Sequence, residues 1–147
     1  MHEKRLTSQL LKYWNIVRRN RTIPDVRHIN PSAIEKLWAQ CFLLSCDNLR
    51  ENFSYQYECV GPLVTDFYER DMTDQYVDDT VEENVHLSLR RLLHQVITQH
   101  SPVDDEGNFL KENGKLMKYR FILMPFGDDD GITHVMGGLS FMLFDAA

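Results

Sequence analysis

The tail of the chain constrains the fold most. Asn113-Gly114 is the residue pair that two-residue hairpins prefer, and it separates strand-like segments over 108–112 and 115–126. Gly127-Asp128-Asp129-Asp130-Gly131 then divides the second segment from a third over 132–144. Three strands joined by such short turns predict an antiparallel meander. Within the middle strand, Tyr119, Phe121 and Leu123 alternate with Lys118, Arg120 and Ile122, so each set occupies one face of the sheet. Gly137-Gly138 inside the third strand predicts a bulge or sharp twist, or else a close backbone approach to a ligand.

Ahead of the meander, Val85, Leu89, Leu92 and Val96 form one apolar stripe along a helix from about 81 to 99. Earlier still, the run Cys41 to Cys46 and the alternating Phe53, Tyr55, Tyr57 and Cys59 predict two strands linked by the polar stretch 47–52. Residues 63–68 and 69–80 read as short helices or ordered loops. At the start, Leu6, Leu10, Tyr13, Trp14 and Val17 recur at helical spacing over about 3–19. Asn30 as cap, Pro31 at the first helical position and Ile29 packing on Ile34 predict a further short helix ending near Trp38. The expected class is α+β: a five-stranded antiparallel sheet with helices on one face and an N-terminal amphipathic helix. Residues 1–30 are expected to be a helix and basic linker packing on a domain over 31–147.

With 147 residues and 43% hydrophobic side chains, one packed core is expected. No apolar run approaches membrane thickness, and the N-terminus lacks a signal-peptide core; a soluble, cytoplasmic protein without membrane insertion follows. Cys41, Cys46 and Cys59 form no Cys-x-x-Cys pair. On a shared strand, Cys41 and Cys46 fall on opposite faces, so they read as free thiols packed as small hydrophobes. The net charge of −6 is uneven: residues 1–30 hold seven Lys or Arg against Glu3 and Asp25, for +5, and the remainder carries −11. Such a basic segment can dock on its own acidic body, on a second copy or on an anionic partner.

The element order is similar to that of PAS domains, cupped five-stranded sensor modules whose helices cover a ligand-sized cavity. Tyr13-Trp14, Arg18, Arg21, Pro24, Arg27, Ile29, Pro31 and Ile34 have the spacing of a PAS-like single-domain family widespread in alphaproteobacteria. Val60-Gly61 and Leu123-Met124-Pro125-Phe126 also resemble that family, whereas Asn20 stands in place of a Gly and Pro62 in place of Thr or Ser. The resemblance implies signalling by a lone sensor domain through contacts with other signalling proteins.

Cofactor chemistry was weighed against specific residues. A flavin photosensor of the light-oxygen-voltage type would carry an Asn-Cys-Arg-Phe-like segment, and no cysteine follows Cys59, which argues against flavin. A haem sensor needs an axial histidine facing the cavity; His94 lies opposite the apolar stripe and His86 about 100° to its side, leaving only His86 and the helix-terminal His100 as candidates. His86, Arg90, Arg91 and His94 read as a solvated cationic face. Asp128-Asp129-Asp130 lacks the Gly and Glu of an EF-hand loop, with Thr133 and Leu139 at those positions, so it reads as a charged turn with no metal role. Neither a Gly-x-Ser-x-Gly elbow nor a phosphate-binding Gly loop is present, and no enzyme activity is expected.

The sequence therefore leads to a regulatory PAS-like domain acting by protein interaction and gated by a small ligand. Tyr57, Phe67, Tyr119, Phe121 and Leu123 are the candidate ligand-lining residues. Leu10, Tyr13, Trp14 and Val17 are the candidate contact residues, on the sheet or in a homodimer. A ligand-free scaffold or dimerisation protein is the first alternative. Nucleic-acid binding through the basic segment is the second, and the acidic body opposes it.

Overall fold

The computed structural model describes residues 5–49, 52–77 and 83–145, with the side chains of 48–49, 52–53 and 83–88 outside that description. Its five strands, β1 (Cys41–Leu49), β2 (Asn52–Val60), β3 (Val103–Leu110), β4 (Lys115–Asp128) and β5 (Gly131–Asp145), make one sheet in the order β2-β1-β5-β4-β3. Every neighbouring pair is antiparallel. Among the described residues three α-helices complete it: α1 (Leu6–Arg18), α2 (Pro62–Tyr68) and α3 (Glu83–Gln99).

Central strand β4 shows why both faces are covered. From Phe121 to Gly127 every residue is buried, and an uninterrupted apolar strand is what a sheet packed on two sides requires. Phe121 and Leu123 join an inner layer with Leu89, Leu92, Leu93 and Val96 of α3 and Val64, Phe67 and Tyr68 of α2. Ile122, Met124 and Phe126 join an outer layer with Leu6, Leu10, Trp14 and Val17 of α1. Cys41 belongs to the outer layer and Cys46 packs on the inner one, the opposite-face placement that their odd separation predicts. All three cysteines are free.

The segment 31–38 corrects one expectation. Asn30 does cap, its side chain accepting from the Ser32 N–H at 3.1 Å, and Pro31 does take the first position. The helix nevertheless stops after one 3-10 turn at Ile34, and a second 3-10 turn runs from Trp38 to Gln40. The i to i+3 bonds Ala33 N to Asn30 O and Leu37 N to Ile34 O replace α-helical ones. The tighter turns deliver Ile34 to the outer layer and Cys41 directly into β1, a tertiary requirement that overrides local propensity.

Gly137-Gly138 corrects another. The register shifts lie at Leu43/Leu44 and Phe126/Gly127, and the glycine pair sits in regular pairing with Phe42 and Cys41. A Cβ on Gly137 would enter the Phe42 ring, and one on Gly138 would enter Leu10. The two glycines are therefore seats for one large side chain on each face. β3 also begins earlier than the predicted 108, at Val103, and ends at Leu110. The 47–52 linker is shorter than expected, because β1 runs to Leu49 and β2 starts at Asn52. The predicted two-residue Asn113-Gly114 turn is a three-residue one: the Lys111 N–H donates to the Lys115 carbonyl at 2.8 Å across Glu112-Asn113-Gly114, the Gly114 N–H donates to the Lys111 carbonyl at 2.9 Å, and Gly114 alone of the three takes a positive φ, +81°.

Candidate functional site

Two regions of the sheet gather chemistry, one on each face. On the inner face, the five lining candidates Tyr57, Phe67, Tyr119, Phe121 and Leu123 are all buried in a single cluster. α2 directs Phe67 over the sheet because Pro62 starts the helix and Val64, Phe67 and Tyr68 share its buried side. The Phe67 ring lies 5.8 Å from Tyr119, 6.5 Å from Phe121 and 5.2 Å from Phe141, centroid to centroid. Tyr57 stands apart from that group, 5.7 Å from Phe42. Phe67 meets Tyr119 and Phe121 edge to face, the arrangement aromatic quadrupoles favour, and meets Phe141 at a tilt, as Tyr57 does Phe42. Burial pushes the Tyr57 hydroxyl up to about 12, with the Tyr68 hydroxyl and Arg70 offsetting part of the rise.

Thiol and histidine candidates fall elsewhere. Burial pushes Cys41 and Cys46 up to about 12, and raises Cys59 with help from Glu58. Thiols held protonated are poor nucleophiles. His94 and His100 are exposed, and the side chain of His86 lies outside the described residues. On the same helix Arg91 pairs with Asp105 of β3 at 2.7 Å. Asp128 accepts from the Asp130 N–H at 2.9 Å, which makes the acidic triad a self-bonded turn. Among the described residues, no group of three or more His, Cys, Asp or Glu is placed to hold a metal ion.

On the outer face, α1 covers only part of the sheet. Leu10, Trp14 and Val17 are buried there, and the Trp14 Nε1–H donates to the Pro125 carbonyl at 2.8 Å. Tyr13 is half-buried, its hydroxyl accepting from the Asn30 N–H at 2.8 Å. The four contact candidates are thus engaged with their own protomer. Arg18, Arg21 and Arg27 after them are engaged too: Arg18 donates to the Arg21 carbonyl at 3.0 Å, Arg21 donates to the Ile23 carbonyl at 3.2 Å and Arg27 pairs with Asp25 at 2.6 Å.

Beyond the first turn of α1, an open groove of about 950 Å³ runs over β3, β4 and β5. Arg5, Lys118, Arg120, Met142 and Phe144 line it; Arg5 belongs to the basic segment already singled out, and the other four were not sequence candidates for binding. The available signal was the run Phe141 to Phe144, apolar at four successive positions near the end of β5. In a strand with one face wet, that pattern leaves large apolar side chains in solvent.

Comparison with known proteins bears on this arrangement. A family described as a PAS domain matches residues 2–140. Among solved structures, the chain is similar to an RNA-binding light-oxygen-voltage receptor, at 12% identity and a TM-score of 0.45, covering 69% of this chain and 29% of that one. It is similar to a variant of Vivid, at 17% identity and a TM-score of 0.46, covering 88% and 98% of the two chains. A fungal LOV domain photoreceptor gives 16% identity, a TM-score of 0.46 and coverage of 92% and 91%. None of the curated proteins matches. The first and third of these structures are named as light-oxygen-voltage proteins, the type argued against above, which corrects the expectation against flavin. The lack of a cysteine after Cys59 bears on forming a covalent adduct, a step later than binding, and so gives no ground for excluding the cofactor class.

Proposed function

The chain belongs to the PAS domain family, and from that premise we propose that it is a cytoplasmic regulatory domain whose output is contact with other proteins. A sensory domain is what the family supplies, and a non-catalytic role fits it. The observation that carries the protein-contact reading is the set of large apolar side chains left in solvent on one face at one end of the sheet: Leu110, Met142 and Phe144. Contiguous exposed apolar surface marks interaction sites. The free thiols support a reducing compartment such as the cytoplasm.

Quantitative affinity capture from the native cell tests this reading. The full chain and its Met142→Asp/Phe144→Asp variant serve as baits, with thermal unfolding confirming that both are folded. Proteins retained by the full chain and lost from the variant are expected. Identical captured sets from the two baits would contradict it.

The burial of the Tyr57 hydroxyl in the layer between the sheet and α2 and α3 favours a further element, gating by a small ligand held in that layer. A phenol among apolar side chains is a donor for one polar atom of such a ligand. A metabolite thermal-shift screen of the full chain is expected to yield a stabilising compound whose effect is lost in Tyr57→Phe. Stabilisation that survives Tyr57→Phe for every hit would remove Tyr57 from the site.

A further inference from the structure

Resting on the protein-contact reading, we infer that the groove beyond α1 is a docking site for an acidic peptide segment of a partner protein, one in which Asp or Glu lies close to a bulky apolar residue. Strand register gives the groove its pattern. Glu106, Arg120 and Ser140 form one cross-strand row, Asn108, Lys118 and Met142 the next, and Leu110, Leu116 and Phe144 the last. Rows two residues apart on a strand are about 7 Å apart, so the cations stand about 7 Å from exposed apolar side chains. Leu110 is 66% exposed, Met142 64% and Phe144 41%.

Charge selects the occupant. The chain carries −6 overall, yet the groove holds Arg5, Lys118 and Arg120 against the single acid Glu106. Arg120 is held to Glu106 at 2.6 Å, and the Lys118 ammonium lies 5.2 Å from the centre of the Phe144 ring. Both cations are therefore laid along the sheet beside the apolar side chains. An acidic side chain entering the groove gains Lys118 and Arg5 as partners, and its apolar neighbour covers Met142 and Phe144. A nucleic acid would match the cations but leave that apolar rim uncovered, while a purely apolar segment would bury the Lys118 ammonium without an acidic partner.

Selection of random twelve-residue peptides displayed on phage against the full chain, followed by fluorescence anisotropy with two enriched sequences, tests the inference. Enriched peptides are expected to combine Asp or Glu with Leu, Phe, Met or Trp. Their affinity is expected to fall at least tenfold in Lys118→Glu and in Met142→Ser, and to weaken as salt rises. Enrichment of basic or uncharged sequences, or affinity unchanged in both variants, overturns it. So does Lys118-dependent binding of a twenty-residue oligonucleotide with no acidic peptide enriched, or a Lys118-dependent dimer of the chain alone in sedimentation. Native-cell capture that depends on Met142 and Phe144, with no acidic peptide bound, sinks this inference and leaves the protein-contact reading standing. Failure of both experiments sinks both.

Discussion

Asp25 is the only carboxylate among the buried described residues, and its surroundings show how one side chain caps the 3-10 turn Val26–His28 that follows α1. It accepts from the Arg27 N–H at 2.9 Å and from the Arg27 guanidinium at 2.6 Å. These bonds hold its carboxyl well below the usual carboxylate range. A depressed folded-state pKa means stability that is present above about pH 4 and lost as pH falls through the folded value. Arg27 is 80% exposed, so solvent screening keeps the contribution small. The urea midpoint of the wild type should therefore drop between pH 5 and pH 2 more steeply than that of Asp25→Asn, and equal slopes would assign the acid sensitivity elsewhere. The sequence shows Asp25 two residues before Arg27, but nothing in that spacing announces that the acid is buried. Residue chemistry was legible where identity alone decides it, as with the free thiols. It was illegible where a neighbour remote in sequence decides it, as with Gly137 under Phe42 and Gly138 under Leu10.

Among the elements, α1 and the meander were the most legible because each carries a full period of pattern. β3 was truncated in the sequence reading for a physical reason. It is the edge of the sheet, and Asp104 and Glu106 point outward where α1 does not reach, so its first half shows charge in place of apolar alternation. The seating of α1 on β5 is open to direct measurement. Gly138→Ala inserts a methyl group into Leu10, an overpacking cost of about 1–3 kcal/mol. Leu10→Ala opens a cavity costing about 2–5 kcal/mol. In urea unfolding the double variant should lose less than the two single losses together, because the added methyl fills part of the space that Leu10 vacates. Strict additivity would mean that α1 does not sit where Leu10 meets Gly138.

For the whole molecule, the sheet divides the work between its faces. The inner face buries aromatic rings under α2 and α3, and the outer face is closed by α1 at one end and open at the other. The five-stranded fold and the family were both legible from element order and N-terminal spacing. The five lining candidates do share one face, since alternation and a helix stripe are enough to place them there. The open groove was not legible, because it depends on where α1 begins relative to strands more than a hundred residues away. On the proposed function, this open end is where the domain meets its partner. A photo-crosslinking amino acid in place of Met142, compared with one in place of the exposed turn residue Asp129, tests it in the native cell. A few discrete protein adducts from Met142 and none from Asp129 are predicted; the same adducts from both positions, or none from Met142, would contradict the account.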